Sequence, residues 1–161
     1  MTFSTSKCDP DGITLYFFSS AFNTINNVKT SEEVMSHFES KSNQFGNSTD
    51  LAKVLQEALK PDRVPRARPE TILVITDGTP DNRNDVQKAL IYATKNYMKD
   101  DNDLSVTIIQ VGDDSSATRW LNELDDGLVE KGAKYDIVDI MTAAELAKYD
   151  FASLIAKSIQ D

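Results

Sequence analysis

The run Thr71-Ile72-Leu73-Val74-Ile75-Thr76-Asp77-Gly78 holds six residues without a charge, four of them aliphatic and continuous, before it breaks at Asp-Gly. An uninterrupted β-branched segment of this length suits a strand covered on both faces, the condition of a strand inside a parallel sheet. The Asp-Gly pair then opens a loop. In open sheets of that kind, ligands bind beyond the carboxyl ends of the strands. Asp77 is therefore the first candidate for a functional side chain.

Downstream, Val86, Leu90, Ala93 and Tyr97 space out a helix, and a second strand follows over 104–111, stopped by Gly112. Ser115 or Ser116 is expected to cap the next helix, which carries Ala117, Trp120, Leu121, Leu124 and Leu128 on one face. The last strand is read at 135–140. Thr142 with Glu145 fits a capping box, in which hydroxyl and carboxylate satisfy each other's orphan amides. The closing helix would bury Leu146, Leu154, Ile155 and Ile159, with Tyr149 and Phe151 near its middle.

Upstream lies a segment with prolines at 61, 65 and 69 and arginines at 63, 66 and 68, read as a surface loop with the chain's basic cluster. Before it, Ser48-Thr49-Asp50 offers caps for a helix marked by Leu51, Val54, Leu55, Ala58 and Leu59. Thr30 and Glu33 form another capping box, ahead of a short helix with Val34, Met35 and Phe38 on one face and His37 off it. Residues 13–18 form a β-branched and aromatic strand after the turn Asp9-Pro-Asp-Gly12, and 24–28 a short edge strand. Strands alternating with amphipathic helices call for one α/β domain over 1–161: a doubly wound, mostly parallel sheet with helices on both faces.

Composition narrows the function. A net charge of −9 argues against nucleic acid, whose binding is driven by Lys and Arg displacing counterions. The acidic pairs and triplets, such as Asp100/Asp101/Asp103, Asp113/Asp114 and Asp125/Asp126, fall at the edges of apolar segments and read as solvated surface. One cysteine, Cys8, allows no intramolecular disulfide, so a reduced, intracellular or cytoplasmic setting is expected. No apolar run approaches the roughly 18 residues of a membrane span, and no membrane partner is expected.

An Asp directly after a buried strand can be a metal ligand, a general base, a phosphate acceptor or the start of a turn. The hydroxyl and carboxylate of Ser48-Thr49-Asp50, at the start of a helix, add oxygen donors of the kind Mg²⁺ accepts. There is no phosphate-binding glycine loop, nucleophile elbow or cysteine-histidine cluster. Trp120 and the five tyrosines fall mostly at core spacing.

The order of motifs resembles the von Willebrand factor type A family, whose members carry a metal-ion-dependent adhesion site on top of a doubly wound sheet. Residues 11–18 resemble the family's second strand, and Asn47-Ser-Thr-Asp-Leu51 its Gly-Gly-Thr segment. Ile72-Leu-Val-Ile-Thr-Asp77-Gly78 resembles the strand ending in the metal-site aspartate; the strand before Gly112 and the helix over 117–125 resemble the elements that follow in intracellular members. The resemblance implies a partial metal site of Thr49 and Asp77, Mg²⁺ or its substitute Mn²⁺ as the ion, a protein partner, and no catalytic residues. The family's opening strand, which ends in Asp-x-Ser-x-Ser, has no counterpart in this sequence, and Asn47-Ser48 stands where the family has Gly-Gly.

In the family's strand order, 3-2-1-4-5-6, the missing first strand would lie between the strands at 13–18 and 71–76. The expectation is a domain without its first central strand, in which those neighbours either close up or receive a complementing strand from another chain. The chain would then be a shortened product, half of a split protein, or a domain that binds without metal. Two other functional classes stand beside the leading one. Asp77-Gly-Thr-Pro-Asp81 could serve a Mg²⁺-dependent phosphate-transfer enzyme, and exposed helices with the Arg63/Arg66/Arg68 loop could serve a metal-independent structural subunit.

Overall fold

A computed structural model describes residues 12–19, 22–41, 50–60 and 69–146. Two sheets are present among them. Strands β1 (Ile13–Phe18) and β2 (Phe22–Val28) form an antiparallel pair, while β3 (Glu70–Thr76), β4 (Leu104–Gln110) and β5 (Val138–Thr142) form a parallel sheet in the order β3-β4-β5. The helices are α1 (Ser31–Lys41), α2 (Leu51–Ala58), α3 (Arg83–Asn96), α4 (Ser115–Asp125) and α5 (Ala143–Leu146). The chain is thus an α/β protein whose parallel strands are joined through helices, as the β-branched runs require.

The β1–β2 pair shifts register between Ile13 and Leu15. The extra residue is taken up opposite, where Asn27 adopts φ 61°, a left-handed conformation that asparagine tolerates better than most residues. Gly12 opens β1 at φ +82°, and a Cβ there would stand 2.8 Å from the Val28 carbonyl oxygen. Only glycine fits.

The main core lies on one face of the parallel sheet. Val74, Val106, Ile108 and Val138 from the strands meet Val86, Leu90 and Ala93 of α3, Trp120, Leu121 and Leu124 of α4, and Leu51, Ala52 and Leu55 of α2. Phe18 of β1 packs against the same core. The opposite face carries a smaller cluster of Ile109 and Met141 with Leu73 beside them, and α5 approaches β4 and β5. Strand β4 is buried along nearly its whole length, the condition that its apolar run demands.

Three expectations are corrected. The last strand starts at Val138, not Tyr135: the Tyr135 hydroxyl reaches back to donate to the Lys99 carbonyl at 2.6 Å, which holds that segment in a loop. The cap of α4 is Asp114, not Ser115 or Ser116, because its carboxylate accepts from the amides of Ser116 and Ala117. Tyr92 is 56% exposed on α3, edge-on to Tyr97, so it is not a core residue. Both capping boxes form, Thr30 with Glu33 and Thr142 with Glu145. His37 is half-buried. The arginine loop, Cys8 and the closing helix beyond 146 lie outside the described residues.

Among the described residues no helix is long and apolar enough to cross a membrane. Strands β1 and β3 share the core beneath them but form no ladder with each other.

Candidate functional site

The carboxyl ends of β3 and β4 open into two adjoining loops. After β3, the buried Thr76 hydroxyl donates to the Gly78 carbonyl at 3.1 Å and lies 3.4 Å from the Gly78 amide, closing a tight turn around Asp77. The turn leaves the Asp77 side chain exposed at the mouth. Local chemistry dictates this: a hydroxyl at the last buried position satisfies the turn's own backbone, so the aspartate need not.

The β4 loop is fixed from within. Gln110, 3% exposed, donates through Nε2 to the Asp114 carbonyl at 3.1 Å and accepts from the Thr118 hydroxyl at 3.0 Å. Both ends of a buried amide are thereby satisfied, which ties the end of β4 to the start of α4. Gly112 supplies the bend between them at φ +87°. The amide of Ser116 and then that of Ala117 hold the Asp114 carboxyl below its ordinary value, with a smaller contribution from the Arg83 charge. The Arg83 guanidinium carbon stands 6.0 Å from the Trp120 ring centroid, linking the start of α3 to α4. The two loops meet where Thr79 Oγ1 and Ser116 Oγ lie 3.4 Å apart.

The start of α2 carries the sequence's other candidate oxygen donors. The Asp50 amide donates to the Ser19 carbonyl at 2.9 Å, joining the end of β1 to this helix. The Asp50 carboxylate accepts from the Lys53 amide at 3.3 Å and pairs with the Lys53 ammonium at 2.5 Å. The Lys53 side chain, and then its amide, hold Asp50 below the ordinary carboxylate range. Asp50 is therefore a helix cap, as the sequence suggests, with its oxygens already engaged. Thr49, the other member of the expected metal pair, lies outside the described residues.

The donors at the β3–β4 mouth are all oxygen: the Asp77 carboxylate with the hydroxyls of Thr79 and Ser116. These are the right kind for Mg²⁺, which takes about six oxygen ligands and keeps several waters among them. Among the described residues, no three His, Cys, Asp or Glu side chains gather closely enough to hold a metal ion. A site here would use one carboxylate with hydroxyls and water.

A second acidic group was hidden from sequence reasoning. Asp125, the last residue of α4, is half-buried rather than solvated. Burial, then the charges of Asp139, Asp136 and Asp126, push its carboxyl up to about 6, opposed by a hydrogen bond from the Ile140 amide. The Asp125-Asp126 pair reads as surface because the sequence does not disclose that β5 brings Asp139 beside it.

No family model matches the chain, and no curated protein matches it.

Proposed function

We propose that this chain is a protein-interaction module of the von Willebrand factor type A kind, capturing a partner's carboxylate through Mg²⁺. Thr49 and Asp77 would hold the ion, with Mn²⁺ as a substitute. When bound, the cation supplies a positive centre that can take an acidic side chain of the partner as a ligand, reversing the local charge of an acidic protein. The observation that carries this reading is the exposed Asp77 carboxylate at the carboxyl end of β3, on the loop whose Thr79 hydroxyl lies 3.4 Å from that of Ser116. The tight turn leaves that carboxylate outward while Gln110 keeps the neighbouring loop in place.

The fold part of the proposal is a doubly wound sheet lacking its first central strand. It is supported by the separation of β1–β2 from β3–β4–β5 at the position where the family order inserts that strand. No nucleophile and base pair enters this reading, and the site acts by binding.

The experiment is partner capture on the immobilised chain in Mg²⁺ and in EDTA, with Asp77→Ala alongside. Captured partners should be retained in Mg²⁺, released by EDTA, and lost from the Asp77→Ala chain. Capture unchanged in EDTA would overturn the reading.

A further inference from the structure

We infer that the outer edge of β3 is a strand acceptor, which hydrogen-bonds one extended segment of another polypeptide with an uncharged β-branched centre and basic flanks. The Val111 amide donates to the Thr76 carbonyl at 2.8 Å, so Thr76 directs its backbone groups towards β4. In a parallel ladder, alternate residues face alternate sides. Ile72, Val74 and Thr76 therefore serve β4, and Thr71, Leu73 and Ile75 turn their N–H and C=O groups outward.

Among the described residues strand β3 pairs with β4 alone, and no hydrogen bond reaches those three outward residues. An unpaired row of this kind is a template for another strand, which proteins ordinarily blunt with charge, proline or a bulge. The outer edges of β2 and β5 carry such devices: β2 has Asn26 and the left-handed Asn27 at its register shift, and β5 has the exposed Asp139. Strand β3 has none between Thr71 and Thr76, and its register with β4 is continuous. Ile75 is 51% exposed, whereas Ile109 opposite it is buried.

The setting selects the occupant. Strand β1 rests on the same core as β3 through Phe18, so an added strand would lie over an existing apolar layer and needs an apolar centre. Asp77, exposed, closes the uncharged run, and the whole chain carries −9. Basic residues flanking the incoming segment are favoured by that field. This inference does not depend on a metal, and its test is run in EDTA so that the two readings fail separately.

The probe is a short valine- and threonine-rich peptide flanked by lysines, compared with the same peptide N-methylated along its backbone. In the full chain alone, the Leu73 and Ile75 amides should exchange with solvent quickly and those of Ile72 and Val74 slowly. The unmethylated peptide should protect Leu73 and Ile75, and Ile75→Lys should weaken its binding roughly tenfold or more. Val129→Lys, at another exposed apolar residue, should leave binding unchanged. Leu73 and Ile75 amides already protected in the peptide-free chain would overturn the inference, because the edge would then be occupied. Equal binding of the methylated peptide, or failure of the unmethylated peptide to protect those amides, would overturn it even if Ile75→Lys failed to fold.

Discussion

The Gln110 side-chain amide donates to the main-chain carbonyl of Asp114 at 3.1 Å, from a position 3% exposed. This bond makes the end of β4 and the start of α4 one rigid corner of the candidate site. Gln110→Leu keeps the bulk but orphans the Thr118 hydroxyl from one acceptor and removes a donor to Asp114. A loss of about 1–3 kcal/mol is expected, the range for a buried polar group deprived of its partner. Urea denaturation of the two proteins measures it, and equal midpoints would show that the corner is not held this way.

The titration of Asp125 gives stability a pH dependence of definite sign. Its carboxyl rises from 3.8 to about 6 on folding, first through burial and then through neighbouring aspartates. The folded chain therefore binds this proton more tightly than the unfolded chain, and stability from it is complete below 3.8 and lost as pH rises through about 6. Burial raises Asp136 in the same direction. Asp50, lowered by Lys53, opposes them, since its contribution is lost as pH falls through its folded value, below 3.8. Asp125→Asn keeps an acceptor for the Ile140 amide and should stabilise the chain at pH 7 by on the order of 1 kcal/mol after solvent screening. Thermal melts at pH 7 and pH 4 test this, the advantage shrinking towards the acid end.

Two glycines should respond differently to alanine. Gly112 sits at φ +87° with nothing within 4 Å of an added Cβ, so Gly112→Ala meets only the left-handed backbone cost of about 1–2 kcal/mol. Gly12 has φ +82° and the added clash with the Val28 carbonyl oxygen at 2.8 Å, so Gly12→Ala should cost more. Equal losses by chemical denaturation would contradict the role given to that close approach.

The parallel sheet was legible because its strands are continuous apolar runs and its helices carry clear periods, from Val86 to Ala93 and from Ala117 to Leu124. Asp77 was legible for the same reason: it directly follows such a run. What the sequence could not reveal is set by distant pairing. Tyr135 looks like strand until its hydroxyl is seen to reach Lys99, and Asp125 looks solvated until Asp139 and Asp136 stand near it. The cap of α4 was misread by one or two residues because serine and aspartate are about equally good caps, and only geometry distinguishes Asp114 from its neighbours. Among the described residues β1 and β3 lie in separate sheets.

Asp77 itself should matter little to folding. Its side chain is exposed, and the surrounding turn is closed by Thr76. Asp77→Ala should shift stability by no more than about 0.5 kcal/mol, as expected for a surface substitution outside any cap or network. A large loss in a thermal melt would mean that the carboxylate is structural.

The most direct test of the cation-binding proposal is paramagnetic broadening by Mn²⁺ of the backbone amide signals of the full chain. Selective broadening is expected at Gly78, Thr79 and Ser116, reversed by EDTA and absent in Asp77→Ala, while the acidic turn at Asp100–Asp103 reports unspecific binding. Broadening that is equal at the two places, or unchanged in Asp77→Ala, would contradict it.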